Sequence, residues 1–271
     1  MTDSQTGTIL DAILSRTVAD LAGRKTSTPM SNLEIAADSR AAPLSLRSRL
    51  RGSRISVIAE IKRASPSRGV FPVIVDPAAV AAEYVAGGAA AISVLTNEPF
   101  FQGSLHDLED VAGVAHVSEV AVPVLRKDFI IDPYQIVEAR AYGADAVLLI
   151  VAALDDASLA ELLAAAKEFG MDALVEVHDE REMARAVSAG ADLVGINNLD
   201  LRTFAVNLSV SERLAPFAPD DAVIVAESGI FGPDEVKRLN DAGVYAVLVG
   251  EGVITSADRA AAVRALLTWP T

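Results

Sequence analysis

The sequence predicts an α/β chain whose parallel strands close into a single (β/α)8 TIM barrel behind an N-terminal helical extension. Three observations carry that expectation. First, four stretches look alike: GGAAAISVL (87–95), YGADAVLLI (142–150), AGADLVGIN (189–197) and AGVYAVLVG (242–250). Each sets a glycine where a helix should stop, and glycine supplies the left-handed cap that ends a helix. Each then runs apolar at nearly every position, as a parallel strand covered on both faces requires. Second, the four units recur roughly every 50 residues, which leaves room for two βα units because one βαβ crossover takes about 30. The intervening strands are legible at 55–62, 120–127, 173–177 and 222–226. Third, alanine-rich, helix-periodic segments separate the strands throughout, and about eight such alternating units favour a closed barrel. An open doubly wound sheet would be expected to carry a glycine-rich dinucleotide fingerprint after its first strand, and none follows here.

Each element has its own reason. Residues 8–25 read as an amphipathic helix and residues 44–51 as a second, short one. Residues 1–50 stand outside the repeat, as an extension that covers either the bottom of the barrel or its mouth; residues 51–271 form the barrel domain. In the first strand the period of two puts Ile58, Glu60 and Lys62 on one face and Val57, Ala59 and Ile61 on the other. A helix over 77–86 leads to the strand ending at Leu95, and a helix over 105–116 leads to the strand in which Leu125 and Lys127 share a face. The helix over 133–141 opens on Asp132-Pro133, with proline in the first turn where its missing N–H costs nothing. After the strand at 142–150 comes a helix over 156–169. The next strand puts Leu174 and Glu176 on one face, and a helix over 180–188 follows it. The strand ending at Asn197, a short helix over 209–214, the strand at 222–226, a helix over 233–241 opened by Gly232-Pro233, the last strand and a helix over 257–267 complete the set.

Bulk properties narrow the function classes. Of 271 residues 51% are hydrophobic and 22% charged, ordinary for a globular chain with a large core. The formal net charge of −14 repels phosphate backbones and anionic membranes, so neither nucleic acid nor membrane is an expected partner. An anionic substrate must therefore be held by a local site against the overall field. With no cysteine there is no disulfide, thiolate metal site or thiol nucleophile. No apolar run approaches the roughly 20 residues of a membrane span, and the first residues lack the pattern of a secretion signal, so a cytoplasmic protein is expected.

In a closed parallel barrel the side chains at the C-terminal strand ends line the active site. Glu60, Lys62, Lys127, Glu176 and Asn197 all fall there. Each alone is weak evidence, and Glu60 with Lys62 could be an edge-strand ion pair, although a closed barrel has no edge. Together they are a strong constellation, because lysine and glutamate are rarely buried unless paired or functional. Glycines directly after the seventh and eighth strands, in Glu227-Ser228-Gly229 and Gly250-Glu251-Gly252, would let backbone N–H groups approach an anion, and loops there commonly form the phosphate site of such barrels. Plain turn chemistry is the simpler reading of either loop alone. Phe100 and Phe101 suit loop packing and a flat ring substrate equally well. His106, His116 and His178 have no mutual ligand spacing, so no metal site is expected, and no Gly-x-Ser-x-Gly elbow supports a serine hydrolase.

These segments together resemble the indole-3-glycerol phosphate synthases. The matching stretches are AEIKRASPSRG (59–69), ISVLTNEPFFQGS (92–104), VLRKDFIIDPYQI (124–136), GADAVLLIV (143–151), LVEV (174–177), VGINNLDL (194–201), VAESGI (225–230) and VLVGEG (247–252). The resemblance implies closure of 1-(2-carboxyphenylamino)-1-deoxyribulose 5-phosphate to indole-3-glycerol phosphate with release of carbon dioxide and water, in tryptophan biosynthesis, without metal or organic cofactor. It implies a catalytic set of Lys127, Lys62, Glu176, Glu60, Asn197 and Ser228, with Lys127 as the acid at the carbonyl. Lys62 and Glu176 divide the dehydration between them, in an order left open. It further implies that Ser65, Pro66, Phe101, Phe129, Leu148, Glu227, Gly229, Gly250 and Glu251 bind substrate, and that the chain is a monomer or weak oligomer. Two departures stand out. Leu199 replaces an arginine usual in the family and associated with the anthranilate carboxylate, a charge-assisted contact worth roughly 1.5–3 kcal/mol, so that substrate binding is weakened or Arg202 or another cation substitutes. Glu251 stands where serine is common, and a carboxylate beside a phosphate is unfavourable unless only its N–H faces the ligand. A related phosphate-binding isomerase barrel is the alternative enzyme; phosphoribosylanthranilate isomerase itself uses a cysteine base, which this chain lacks. A degenerate copy that binds without turnover is the non-enzymatic alternative.

Overall fold

The computed structural model describes residues 8–52 and 54–268. After β1 (Ser56–Ile61) a small antiparallel hairpin, β2 (Ala64–Ser65) with β3 (Gly69–Val70), precedes seven more barrel strands. These are β4 (Ala91–Leu95), β5 (Val124–Lys127), β6 (Ala146–Ile150), β7 (Asp172–Val177), β8 (Leu193–Asn197), β9 (Val223–Glu227) and β10 (Ala246–Val249). All eight pair in parallel in chain order, and β10 pairs back onto β1 with Ala246 opposite Ser56, so the barrel is closed.

Three helices precede the barrel: α1 (Ile9–Ser27), α2 (Met30–Asp38) and α3 (Leu46–Leu50). The remainder are α4 (Pro77–Gly87), α5 (Glu98–Phe101), α6 (Leu105–Ala115), α7 (Pro133–Ala141), α8 (Asp156–Glu168), α9 (Glu180–Ser188), α10 (Ser209–Leu214), α11 (Pro233–Asp241), α12 (Glu251–Ile254) and α13 (Arg259–Leu266). Their starts are fixed by side-chain caps: Asp76, Asp132, Asp155 and Asp179 each accept a backbone N–H in the following turn. The repeated glycines do what the pattern demands. Gly88, Gly143, Gly190 and Gly243 lie at φ 91°, 90°, 83° and 83°, where a side chain would strain the turn.

The period-two reading holds inside the barrel. Ile58, Leu125 and Leu174 belong to the inner apolar cluster with Leu148, Leu193, Val225 and Leu248. Val57, Ala59 and Ile61 belong to the larger layer between strands and helices. The extension serves both ends of the barrel. Leu46 and Leu50 of α3 are fully buried in the inner cluster and plug its bottom, while Ile9, Leu10 and Ile13 of α1 line the cavity at its mouth.

The described elements depart from the sequence reading in places; helices α5 and α12 and the hairpin are additions to it. Helix α2 has no counterpart in the expected elements; its short apolar face, Leu33 and Ala37, gains stability only by packing on Tyr134, Val137 and Ala141 of α7. Strand β5 begins at Val124 rather than 120, because Pro123 has no N–H to give a ladder. Strand β9 is shifted by one residue from the expected 222–226 and so carries Glu227. Arg126, pointing away from the barrel interior, is fully buried all the same. It is neutralised by Asp128 and Glu138, each at 3.0 Å, and Glu138 also takes Arg24 of α1 at 2.8 Å. The extension is thereby tied by charge to the residue next to Lys127.

Candidate active site

A cavity of about 500 Å³ opens at the C-terminal ends of the barrel strands, and all fifteen residues singled out as catalytic or substrate-binding line it. The strands supply the charged floor. Lys127, the last residue of β5, places Nζ 3.2 Å from Glu227 Oε2 of β9 and 3.6 Å from Glu176 Oε2 of β7. Lys62, just past β1, places Nζ 3.0 Å from Glu60 Oε1 and 5.8 Å from the centre of the Phe71 ring, whose face attracts a cation. Two glycines make room for these pairs. A Cβ on Gly195 would lie 2.2 Å from Glu227 Oε1, and one on Gly250 would lie 2.5 Å from Glu60 Oε1 and 2.7 Å from Lys62 Nζ.

Packing three buried carboxylates around one ammonium divides their ionisation. Burial alone would lower Lys127, but Glu227, Glu176 and Glu60 outweigh it and hold the ammonium well above the usual lysine range. Burial would raise Glu176, yet Lys127 and His178 hold it down at about 2, so it is a carboxylate at neutral pH. Burial and the neighbouring charge of Glu176 push Glu227 up to about 7 despite Lys127. Of the two neighbouring carboxylates, Glu176 is therefore the one held ionised and Glu227 the one that takes up a proton more readily.

The opposite wall is built from the two glycine loops. Ser228 sits at φ 66° and Gly229 at φ 79°, a strained turn for a serine that costs of order 1–3 kcal/mol and is characteristic of functional sites. Neighbouring side chains over-determine it: Ser228 Oγ donates to Asn197 Oδ1 at 2.9 Å, and Asn198 Nδ2 donates to the carbonyls of Glu227 and Ser228 at 2.9 and 3.3 Å. Gly250 leads directly into α12. The Glu251 side chain is held by Arg68 from the hairpin, with Arg68 Nε donating at 3.0 Å, so its charge is compensated and turned toward a cation. Phe101 and Phe129 lie beside Leu148 with ring centres 6.1 Å apart and planes tilted by 35°, forming an apolar slot in the cavity wall.

Leu199 lines the cavity, whose cations are Lys62, Arg68 and Lys127. Arg202, named as a substitute for the missing arginine, is exposed and lies outside the lining, between Leu201 and Phe204, which belong to it. Of the two phenylalanines of the α5 segment, only Phe101 reaches the cavity. His106 is exposed, and His116 lies beside Asp145 with Nε2 at 2.7 Å from Oδ2. His178 lies against Glu176. Among the described residues no group of three or more His, Asp or Glu side chains is placed to hold a metal ion. Sequence reasoning missed Arg68, the α1 residues at the mouth and His178. Only the last had a local signal, since the alternation that exposes Glu176 brings residue 178 to the same side.

Comparison with known proteins fits this geometry. The profile of the family described as indole-3-glycerol phosphate synthase matches residues 10–266. An indole-3-glycerol phosphate synthase from a Nocardioides species is 52% identical over 256 residues, covering 94% of this chain and 96% of the relative. Those of Mycobacteroides abscessus and Mycobacterium tuberculosis are each 48% identical, covering 97% and 96% of this chain and 94% of each relative. Among solved structures, thiamine phosphate pyrophosphorylase from Pyrococcus furiosus superposes with a TM-score of 0.60 at 18% identity over 82% of this chain and 96% of that one. A 3-hexulose-6-phosphate synthase gives 0.57 at 19% over 78% and 98%. These two share the fold alone. With a profile match over nearly its whole length and relatives at about half identity, the chain belongs to the indole-3-glycerol phosphate synthase family, the carboxy-lyases of tryptophan biosynthesis.

Proposed function

We propose that the cavity closes 1-(2-carboxyphenylamino)-1-deoxyribulose 5-phosphate into indole-3-glycerol phosphate by the following division of labour. The phosphate rests on the Gly229 and Gly250 loops, with Ser65, Pro66 and Ser228 beside it, and the aromatic ring lies in the slot of Phe101, Phe129 and Leu148. The ring carbon bearing the carboxylate attacks the ribulose carbonyl, and Lys127 protonates the oxygen as charge develops on it. Loss of carbon dioxide restores the ring. The hydroxyl then leaves as water with a proton from Lys62, while Glu176 takes the proton from the adjacent carbon. Glu60 holds Lys62, and Asn197 holds the substrate hydroxyls. Glu227 exchanges a proton with Lys127 between turnovers.

The observation that carries this reading is the placement of Lys127 Nζ between Glu176 and Glu227 on the cavity floor. An ammonium kept charged there has its proton in place, and an ionised Glu176 suits a base better than an acid. The assignment of Lys62 as acid follows from it. Residues 1–50 act in the same reading as an extension of one catalytic domain, since α3 shares the barrel's inner cluster. A cytoplasmic chain, monomeric or weakly associating, accords with a biosynthetic enzyme of this class. No helix among the described residues is long and apolar enough to cross a membrane. The test is an indole-fluorescence assay with the carboxyphenylamino substrate. Turnover that vanishes in Lys127→Ala supports the assignment; binding without product in the unaltered chain would favour a degenerate copy.

A further inference from the structure

His178 follows β7, lies outside the cavity lining and stands behind Glu176. Its Nε2 is 3.3 Å from Glu176 Oε1, and its Nδ1 is 3.0 Å from Glu182 Oε2. Its backbone N–H donates to the same Glu182 oxygen at 2.8 Å. Glu182 is itself fixed in the first turn of α9, where its N–H is capped by Asp179. Each ring nitrogen therefore faces a carboxylate. A neutral imidazole would turn a lone pair toward one of the two anions, whereas the doubly protonated ring carries a positive charge toward both: Nδ1 is within hydrogen-bonding distance of Glu182, and Nε2 meets Glu176 as a close ion contact without hydrogen-bond geometry.

We propose that His178 is a positioning residue for this reaction: an imidazolium clamped by Glu182 that holds one oxygen of Glu176 and so sets the other toward the substrate beside Lys127. The carboxylate is spanned, with Oε1 toward His178 and Oε2 toward Lys127 at 3.6 Å. The charges facing Glu176 are Lys127 from β5 and His178 itself, with Asn197 of β8 as a hydrogen-bonding neighbour; Glu227 and Glu60 act on the same Lys127. The groups facing His178 are Glu176 from β7 and Glu182 from α9. Burial would lower the imidazolium, and these two carboxylates push it up to about 10 instead.

The inference rests on Glu176 serving as the base, and the experiment separates the two. His178→Asn and Glu182→Gln are compared with the unaltered chain and with Glu176→Gln in kcat and KM from about pH 5 to about pH 8.5. The expected outcome is that the kcat of His178→Asn, divided at each pH by that of the unaltered chain so that the Glu227 titration common to both cancels, falls about tenfold from neutrality to the acid end, with KM within about twofold; Glu182→Gln moves in the same direction by less. Superimposable pH profiles would overturn the positioning role while leaving Glu176 untouched. Full activity of Glu176→Gln would instead overturn the reading of the site. A second measurement needs no turnover: the chain has three histidines, so ring NMR resolves each one. His178 should keep both ring protons through about pH 8.5 and titrate lower in Glu182→Gln and Glu176→Gln. A His178 that titrates like an exposed histidine in the unaltered chain would refute the proposal.

Discussion

Gly250→Ala perturbs the site by one methyl group. Gly250 has φ −111° and ψ −75°, so an alanine there avoids the left-handed region that only glycine enters freely. Its Cβ would meet Lys62 Nζ at 2.7 Å and Glu60 Oε1 at 2.5 Å. To reach the 3.4 Å at which ordinary contact begins, Nζ must retreat by about 0.7 Å and Oε1 by about 0.9 Å. Both atoms are the ends of flexible side chains, so the fold is expected to yield there at little cost, partly offset by the about 0.4–1 kcal/mol that Gly→Ala gains through the unfolded chain. Catalysis is less forgiving, because a misplacement near 1 Å can cost about a hundredfold. The expected result is a kcat reduced by roughly 30- to 100-fold with a denaturation midpoint near that of the unaltered chain. Steady-state kinetics by indole fluorescence, with thermal unfolding alongside, measure both. An unchanged kcat and KM would refute the claim that the Glu60–Lys62 pair is held in register for the reaction. A change confined to KM would assign Gly250 to the phosphate cradle alone.

Lys127→Met leaves Glu176 and Glu227 without their shared cation; kcat should fall by about 10²–10⁴-fold. Its denaturant stability should fall by several of the about 3–5 kcal/mol that breaking a buried pair costs, and equal stability would contradict the pairing. Leu199→Arg restores a cation in the cavity lining, and KM should fall about tenfold or more if a carboxylate contact worth roughly 1.5–3 kcal/mol is missing; an unchanged KM defeats that idea. Glu227 ionises at about 7 in the folded chain against an ordinary 4.5, so the folded chain keeps a proton that the unfolded chain releases. Its contribution to stability is therefore lost as pH rises from 4.5 through about 7. Glu227→Gln, neutral at every pH, should show a flatter stability profile across that interval, and parallel profiles would contradict the raised value.

Periodicity made most of the fold legible. The glycines at 88, 143, 190 and 243 marked helix ends because a left-handed residue is nearly always glycine, and alternation in β1, β5 and β7 separated Ile58, Leu125 and Leu174 from their outward neighbours. The same alternation delivered Lys62, Lys127 and Glu176 to one end of the barrel. What it missed depends on tertiary contact. Helix α2 is nine residues long and is stabilised by α7, not by its own pattern. Arg126 is buried on the outward face because Asp128 and Glu138, neither marked by spacing, neutralise it. The Arg68–Glu251 contact joins residues 183 apart, which no local rule connects, and it compensates the carboxylate in the loop proposed to hold the phosphate. His178 was discounted for want of a metal-ligand partner, although its partners are carboxylates.

A crystal structure with indole-3-glycerol phosphate bound tests the central claim most directly. The account places the phosphate against the backbone of Gly229 and Gly250, the indole ring between Phe101, Phe129 and Leu148, and Lys127 Nζ within hydrogen-bonding reach of the product's glycerol side. A product bound with its phosphate away from both glycine loops, or with Lys62, Lys127 and Glu176 turned from it, would contradict the account.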